Sequence, residues 1–274
     1  MTEWVLAHEN PIRLGFFLGV FAVVALWEAL APCRQRGQSR LLRWSNNLAL
    51  VALNTIVLRL TVPVLAVSMA VLADERGWGL LNLVDLPGWL ALLAALLALD
   101  LAIYTQHVIF HQVPMLWRLH RLHHADTDYD VTTGLRFHPI EIVLSMLIKL
   151  AVVFLLGPPV VAVILFEVGL NAGAMFNHAN ASLPAWLDRP LRWLIVTPDM
   201  HRVHHSAIRE ETDSNYGFNL SWWDRLFGTY RQAPVAGNLG MTVGLDEFRD
   251  RRWQRLDRLL IQPFVDARSS IANR

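Results

Sequence analysis

The chain has 274 residues, of which 54% are hydrophobic and 17% are charged, and its formal net charge is +1. A mean hydropathy of +0.34 favours a membrane protein over a soluble one. The balanced charge offers no broad basic surface, so we expect no nucleic-acid partner. The single cysteine, Cys33, excludes an internal disulfide bond and a cysteine-based zinc or iron–sulfur site.

The first long apolar segment runs from Leu14 to Ala31 and is long enough to cross a bilayer. A signal peptide is the alternative interpretation. It would need a basic leader and a small-residue cleavage site, whereas Glu3 and Glu9 precede a lone Arg13. We therefore expect a retained first transmembrane helix.

Two further apolar segments, 48–73 and 89–110, predict the second and third transmembrane helices. The connection after the first helix is rich in arginine, whereas the connection between the second and third has no basic excess. The positive-inside rule then places the N-terminus outside and the arginine-rich connection in the cytoplasm. This sidedness fits a bacterial inner membrane, and an endoplasmic reticulum membrane would show the same one. The arginines are Arg34, Arg36, Arg40 and Arg43.

The fourth apolar region, residues 140–176, is interrupted by Gly157, Pro158 and Pro159. Because proline cannot continue a helical hydrogen-bond ladder, we predict two helices of about 17 residues each. They form either a full transmembrane hairpin or a re-entrant one, and both return the chain to the cytoplasmic side.

From His178 onward the chain is polar and rich in arginine. Residues 245–264 show a pattern typical of an amphipathic helix, lying either on the membrane surface or on a cytoplasmic domain. The sequence therefore predicts an all-α polytopic membrane protein with a cytoplasmic helical cap. Its three parts are N-terminal transmembrane helices (1–96), a histidine-rich core (97–240) and a C-terminal amphipathic segment (241–274).

The histidines are concentrated in three clusters. Eight of the eleven histidines belong to them. One cluster has the spacing i, i+4 and the other two have the spacing i, i+3, i+4, so each falls on one face of a helix. The clusters are His107 and His111; His120, His123 and His124; and His201, His204 and His205.

The number of these histidines predicts more than one metal ion. One ion uses roughly three to six protein ligands, and a structural zinc site normally has four. Neutral imidazole suits iron, zinc, copper or nickel, whereas magnesium and calcium prefer oxygen ligands. We therefore predict a site for two metal ions on the cytoplasmic side of the helices, rather than histidines that only satisfy a polar cap.

Several ionisable residues lie inside the apolar segments, where such groups usually face the protein interior and pair or serve function. Asp100 shares one helix face with Tyr104 and the first histidine pair. We predict that Asp100 either orients a phenol or an imidazole, or forms an ion pair with Arg59. The ionisable residues are Arg59, Asp100, Lys149 and Glu167.

Further polar residues near the clusters are candidates for supporting the metal site. His138, with Glu141 three residues later, is a tenth ligand, a hydrogen-bond partner of a ligand, or the start of a helix; we favour the hydrogen bond. Asp199 either holds an imidazole tautomer or caps a helix together with Thr197 and Pro198. The full set of supporting candidates is His138, Glu141, Asp100, Tyr104 and Asp199.

These motifs resemble those of the fatty acid hydroxylase superfamily, the sterol desaturase and sphingolipid hydroxylase group of membrane enzymes. The superfamily's three histidine boxes are matched in full, and the resemblance covers about residues 97–264. Residues 128–136 are also similar to the segment after the second box in alkylglycerol monooxygenases. Other matching segments are Arg136-Phe-His138-Pro139-Ile-Glu141, Asn177-His178, Asn215-Tyr216-Gly217 and the run from Trp223 to Tyr230.

The resemblance implies a bacterial-type member that uses two iron ions, replaced by zinc in some purified samples, and O2 to hydroxylate a C–H bond of a lipid. It implies that Asn215 and Asp224 brace the cap. Because the chain has no dinucleotide-binding motif or cysteine cluster, we expect a separate electron donor, such as a ferredoxin, a cytochrome or a flavoprotein reductase. The resemblance adds His178 to the ligand set, which becomes His107, His111, His120, His123, His124, His178, His201, His204 and His205.

Three alternatives stay open. A lipid desaturase would use the same di-iron centre but remove a second hydrogen instead of adding oxygen. A non-catalytic membrane protein that transports or senses a metal ion would have polar residues along a path through its helices, whereas here the histidines gather at one mouth. A zinc-dependent lipid hydrolase would keep its activity without oxygen.

Overall fold

A computed structural model describes residues 7–266. This range contains helices, turns and two isolated β-bridges, and no strand. The predicted all-α fold is therefore confirmed. Residues 1–6 and 267–274, which include Glu3 and the end of the predicted C-terminal segment, lie outside the described range.

Within the described range, five stretches are long and apolar enough to cross a membrane, so the chain is an integral membrane protein. They contain helices α1 to α4, α6 and α7, and the second stretch, Arg40–Asn82, holds both α2 and α3. The bounds are α1 Glu9–Leu30, α2 Arg40–Thr61, α3 Ala66–Arg76, α4 Gly88–Gln112, α6 Pro139–Leu156 and α7 Val160–Asn177.

The second predicted segment, 48–73, is wrong as a single helix. Its chain is divided into α2 and α3, because Pro63 lies between them and cannot donate to a helical ladder. The helix also begins earlier than hydropathy predicts. The hydroxyl of Ser39 accepts a hydrogen bond from the backbone N–H of Leu42 at 3.4 Å and caps the helix. Helix α2 therefore begins at Arg40 and includes Arg43.

The break predicted at Gly157 is confirmed. Gly157 adopts the left-handed conformation at φ 60° and ends α6, and α7 begins directly after Pro159. At this end of the bundle Gly79 approaches so closely that a Cβ atom on it would lie 2.2 Å from the backbone nitrogen of Gly157. Both glycines are therefore needed for the contact between the 77–87 turn and the hairpin.

Short helices form a cap at the opposite end of the bundle, where α4 and α7 end and α6 begins. The cap elements α5, α9 and α10 lie next to the histidines, and α8, α11 and α12 are the other short helices of the cap. Their bounds are α5 Pro114–His124, α8 Ala185–Leu191, α9 Pro198–His204, α10 Arg209–Thr212, α11 Trp222–Leu226 and α12 Gly237–Gly240.

The predicted amphipathic helix at 245–264 is also wrong as one continuous helix. The chain instead forms two 3-10 turns, Arg251–Gln254 and Gln262–Phe264, on either side of α13, Leu256–Ile261. Phe248, Trp253 and Leu259 of this segment are buried against the protein, with Leu259 packed on Leu50 and Leu122, whereas Ile261 and Phe264 are exposed. The apolar spacing thus arises because residues 245–264 pack across α2 and α5.

Candidate dimetal site

Nine buried histidines form two groups at the cap end of the bundle. Within each group, the candidate ligand atoms lie within 4.8 Å of one another. The nine are the same histidines that the sequence and the resemblance indicate. The first group is His107, His111, His120, His124 and His204, and the second is His123, His178, His201 and His205.

The spacing i, i+3, i+4 divides each histidine triplet between the two groups. In α5 the i, i+4 pair, His120 and His124, belongs to the first group, and the i+3 residue, His123, belongs to the second. In the triplet of α9 the assignment is reversed, because the i, i+4 pair belongs to the second group and His204 to the first. Each triplet therefore contacts both groups, which a pair at i, i+4 on one helix face cannot do.

The remaining ligands come from the ends of membrane helices. His107 and His111 lie in the last turns of α4, and Pro114 begins α5 only two residues after α4 ends. Proline is favoured at the first helical position because it has no N–H to satisfy there. His178 is the C-terminal cap residue of α7. The site is thus built where two long helices, α4 and α7, reach the cap.

The Nε2 atoms of these histidines converge closely. In the first group, Nε2 of His107 lies 3.1 Å from Nε2 of His120 and 3.0 Å from that of His204. In the second group, Nε2 of His178 lies 3.1 to 3.2 Å from three other Nε2 atoms, those of His123, His201 and His205.

The close contact between His107 and His204 is not a hydrogen bond between the two imidazoles. A neutral imidazole carries one N–H. Nδ1 of His107 donates its N–H to the carbonyl of Tyr216 at 2.8 Å, and Nδ1 of His204 donates its N–H to the carbonyl of Ser214 at 2.7 Å. The Nδ1 atom of His178 likewise donates to Ala174 at 2.7 Å. The Nε2 atoms of His107 and His204 therefore present lone pairs to each other, and Nε2 of His178 presents a lone pair to the other three histidines of its group.

The residues present fit metal ions. Converging lone pairs repel unless a cation lies among them, and nitrogens bound side by side to one ion at about 2.1 Å lie about 3 Å apart. Several buried imidazole nitrogens also have no hydrogen-bond partner, including both nitrogens of His124 and Nε2 of His111. Nitrogen-only donors of this kind suit iron, zinc, copper or nickel.

Burial also keeps the imidazoles in the neutral form that metal binding requires. Desolvation lowers the pKa of His178 to about 4 and that of His204 to about 3. The pKa values of His123, His201 and His205 are lowered well below the ordinary value by burial and by the neighbouring imidazoles. Two carboxylates complete the surroundings. Glu141 accepts from Nδ1 of His120 at 2.7 Å, and Asp213 accepts from Nδ1 of His111 at 3.2 Å.

Glu141 therefore lies where a supporting residue was predicted, whereas Asp213 was missed. Asp213 follows α10 in an irregular turn, and no local pattern relates it to His111, which precedes it by 102 residues. A carboxylate on the second nitrogen fixes the tautomer and the orientation of a ligand imidazole.

His138 belongs to neither histidine group, which contradicts both a tenth ligand and a hydrogen bond to a ligand. It is the N-terminal cap of α6: its Nδ1 accepts from the backbone of Ile140 at 3.2 Å, and its Nε2 donates to the carbonyl of Leu260 at 3.1 Å. The third predicted role, the start of a helix, is the one observed. Glu141, one turn later, is the residue of this pair that reaches the metal ligands.

Asp199 has neither predicted role. Thr197 occupies the N-terminal cap position of α9, and the carboxylate of Asp199 binds Arg202 and accepts from Ser182 at 2.7 Å. The buried guanidinium of Arg202 is the stronger partner, because it is charged and lies on the same helix face.

Asp100 likewise shows neither predicted role. It accepts from the amide of Asn219 and the indole of Trp223, both at 2.8 Å, and forms no ion pair with Arg59 in the described chain. The 219–223 loop brings these donors to it. Tyr104 lies one turn further on, where its hydroxyl is 2.9 Å from Thr229.

The residues that the resemblance assigns to bracing make contacts of that kind. Asp224 accepts from the backbone nitrogens of Tyr216 and Gly217 at 2.7 and 2.8 Å, and Asn215 bonds to the backbone of Arg231 and Met200. The bond from Gly217 fixes the peptide unit whose carbonyl, that of Tyr216, orients His107.

A buried ion network beneath the second box was not predicted. Arg43 of α2 is fully buried and binds the carboxylates of Asp126 and Asp130, which follow α5. Burial would raise the pKa of Asp126, but Arg43 and Arg136 lower it below its usual value. This network joins α2 to the end of the helix that carries three ligands.

A cavity of about 320 Å³ opens inside the bundle and ends at the first histidine group. Helices α1, α2, α4, α6 and α7 line it, and His107 and His120 form part of its wall. Most of the remaining lining is apolar, as in pockets that bind alkyl chains. The apolar lining includes Phe17, Leu58, Ile103, Phe110, Ile142, Met146, Leu170 and Phe218.

Residues 92–229 match the family model for fatty acid hydroxylase, and this match spans half of the chain and all nine histidines. The chain belongs to the fatty acid hydroxylase family. The membership confirms the superfamily that the three histidine boxes indicate. No solved structure matches the chain.

Several curated proteins are similar to this fatty acid hydroxylase family member. Alkylglycerol monooxygenase of Xenopus tropicalis is 32% identical over 62% of this chain and 38% of its own length. Ornithine lipid hydroxylase OlsE of Rhizobium tropici is 31% identical over 49% of this chain and 40% of its own length. Very-long-chain aldehyde decarbonylase GL1-7 of Oryza sativa subsp. japonica is 27% identical over 46% of this chain and 21% of its own length. The chain thus spans two fifths or less of the length of these relatives.

Proposed function

We propose that this protein is a membrane di-iron oxygenase that uses O2 and two external electrons to hydroxylate a C–H bond of a lipid. The observation that carries the proposal is the apolar cavity within the membrane helices, which ends at His107 and His120 of the first histidine group. A lipid chain in this cavity would meet the metal-binding end of the bundle while most of its contacts are with apolar side chains.

The nine histidines would hold two iron ions. The group of five that includes His107 would bind one ion, and the group of four that includes His178 would bind the other. The bound metal would supply the reduction of O2 and the oxidation of the C–H bond, which amino-acid side chains cannot perform. The protein itself would orient the imidazoles and exclude water from the cavity. Glu141 and Asp213 hold two imidazoles in one tautomer, and Phe110 and Phe218 shield the cavity beside His107.

The names of two relatives support oxygenation of a lipid, since one is an alkylglycerol monooxygenase and the other an ornithine lipid hydroxylase. The third is named an aldehyde decarbonylase, so related chains include more than one reaction. We assign hydroxylation to this chain and leave the identity of the lipid to the experiment.

We further propose that the cap faces the cytoplasm of a bacterial cell and receives electrons from a separate ferredoxin, cytochrome or flavoprotein reductase. The arginines before and within α2 support this sidedness, because Arg34, Arg36, Arg40 and Arg43 lie at the cap end of the bundle. NADPH alone would then give no turnover with the purified protein, and addition of a donor protein would restore it.

The decisive experiment is Mössbauer spectroscopy on protein produced with iron-57 and purified without oxygen, combined with lipid mass spectrometry. We expect about two coupled iron ions per chain, by the count of imidazoles, and a lipid product that has gained one oxygen atom. A product that has lost two hydrogens would replace hydroxylation by desaturation. Protein with one ion or none would overturn the di-iron proposal, and turnover in the absence of O2 would indicate a hydrolase.

A further inference from the structure

The cavity has a charged end, remote from the histidines, that the proposed chemistry does not use. Arg13 of α1, Lys149 of α6 and Glu167 of α7 line it together. Arg13 binds one oxygen of Glu167 at 2.8 Å, and Lys149 binds the other at 2.7 Å. The side chain of Glu167 is only 4% exposed, so one buried carboxylate is shared by two cations.

This arrangement contains more charge than helix association requires. Ionisable groups within membrane helices are costly, and a single pair between Lys149 and Glu167 would already join α6 to α7. Arg13 adds a second cation to the wall. It also donates to Glu9 at 2.8 Å, but Glu9 lies outside the cavity lining. This end of the wall therefore carries two cations and one carboxylate.

Both cations keep hydrogen-bond donors for a ligand. An ammonium group has three N–H donors. Among the described residues, Nζ of Lys149 donates to one acceptor, an oxygen of Glu167. Arg13 makes its bonds to Glu167 and Glu9 through Nη1, and its guanidinium has further N–H groups on Nη2 and Nε. Free donors on a cationic wall favour an acceptor-rich, negatively charged group.

The charged end lies a defined distance from the metal end, because α6 contributes to both. Glu141 holds the ligand His120, and Lys149 follows it by eight residues, which corresponds to about 12 Å along a helix. Apolar side chains such as Ile142 and Met146 line the cavity between these positions. The cavity thus has a charged end, a middle that is mostly apolar but includes Gln106 and Ser145, and a metal-binding end.

We propose that Arg13 and Lys149 bind the carboxylate or phosphate group of an amphiphilic substrate, so that a carbon about 12 Å away along the chain is held at the first histidine group. Glu167 is the positioning residue that keeps the two cations together. The position of oxidation rests on the proposed oxygenase function, whereas binding of the head group does not.

The test measures binding without turnover, using the full-length, metal-loaded protein in nanodiscs under nitrogen. Four probes with the same alkyl chain are titrated by calorimetry: dodecanoate, dodecyl phosphate, dodecanol and dodecyltrimethylammonium. We expect one or both anions to bind at least about tenfold more tightly than dodecanol, as for a charge-assisted pair. Preference for dodecanoate would identify a carboxylate, and preference for dodecyl phosphate a phosphate head group.

The variant Lys149→Met leaves Glu167 paired with Arg13 and should reduce binding of the preferred anion to the level of dodecanol. Lys149→Arg should restore it. Arg59→Met is the matched control, because Arg59 is an exposed cation of α2 that does not line the cavity, and it should bind all four probes as the wild type does.

Equal affinity of the wild type for all four probes would overturn the head-group proposal, and this result requires no variant to fold. Unchanged anion binding by Lys149→Met would do the same. If the anions are preferred but no lipid is oxygenated by the iron-loaded protein with a donor, the proposed function fails and the binding site stands.

Discussion

The carboxylate of Glu141 lies 2.7 Å from Nδ1 of His120, a residue of the second histidine box. Glu141 is in the first turn of α6, and the same helix continues along the cavity to Lys149. One helix therefore orients a candidate metal ligand and forms the wall against which a lipid chain would lie. The geometry of the metal site and the shape of the cavity are coupled through this helix.

Glu141→Ala should weaken metal binding by about 10- to 100-fold, because the imidazole of His120 loses the acceptor that fixes its tautomer. Glu141→Gln should weaken it less, since an amide oxygen can still accept from Nδ1. Competition with a chelator measures the affinity. Asp199→Asn is the control, because Asp199 lies close to a box but binds Arg202 and Ser182. Equal losses in Asp199→Asn and Glu141→Ala would contradict an orienting role for Glu141.

The crosswise division of the triplets predicts that neighbouring histidines serve different ions. His124→Ala should disturb the ion of the first group and His123→Ala that of the second, so each variant should retain about one ion of the expected two. Mössbauer spectra of the two variants should show different residual sites. Identical residual spectra from the two variants would argue against two separate groups.

His138→Ala provides the control for the ligand variants. It should keep the full metal content while lowering the free energy of unfolding by about 1 kcal/mol, because α6 loses its N-terminal cap. Metal analysis and thermal unfolding in detergent measure the two effects. Loss of metal in this variant at an unchanged unfolding temperature would instead place His138 among the ligands.

Arg43→Met should destabilise the fold by about 3 to 5 kcal/mol, because it leaves Asp126 and Asp130 buried without their main cationic partner. Arg40→Met, one turn earlier in α2, should cost less than about 1 kcal/mol, since among residues 7–266 the side chain of Arg40 makes only a cation–π contact with Trp44. Thermal unfolding midpoints of the two variants test the difference. Equal midpoints would show that the buried network contributes little.

The proposed sidedness predicts which ends of the bundle are accessible from outside the cell. In a Cys33→Ser background, Leu83→Cys is placed in the turn before α4 and Val235→Cys in the cap; these positions are 77% and 82% exposed. A membrane-impermeant maleimide should label Leu83→Cys on spheroplasts and Val235→Cys only after permeabilisation. The reverse pattern would place the cap outside.

The local features of this protein could be read from its sequence. Spacing alone indicates eight candidate ligands, because 3.6 residues per turn place residues at i, i+3 and i+4 on one helix face. The hairpin break at Gly157 followed from the two prolines after it, and the membrane class followed from the length and apolarity of the helices. His178 required the family resemblance, since a lone histidine at a helix end has no spacing signal.

The tertiary structure alone decided how these local features meet. Asp213 reaches His111 across 102 residues of chain, and Arg13 reaches Glu167 from another helix. The apolar pattern of 245–264 predicts a helix of the wrong length, because a segment of short turns packed against the protein can have the same apolar spacing as an amphipathic helix. Periodicity is set within one or two turns, whereas contacts between distant segments depend on how whole helices pack. The sequence therefore indicates the candidate ligands, and the fold determines their grouping, their carboxylate partners and the cavity that leads to them.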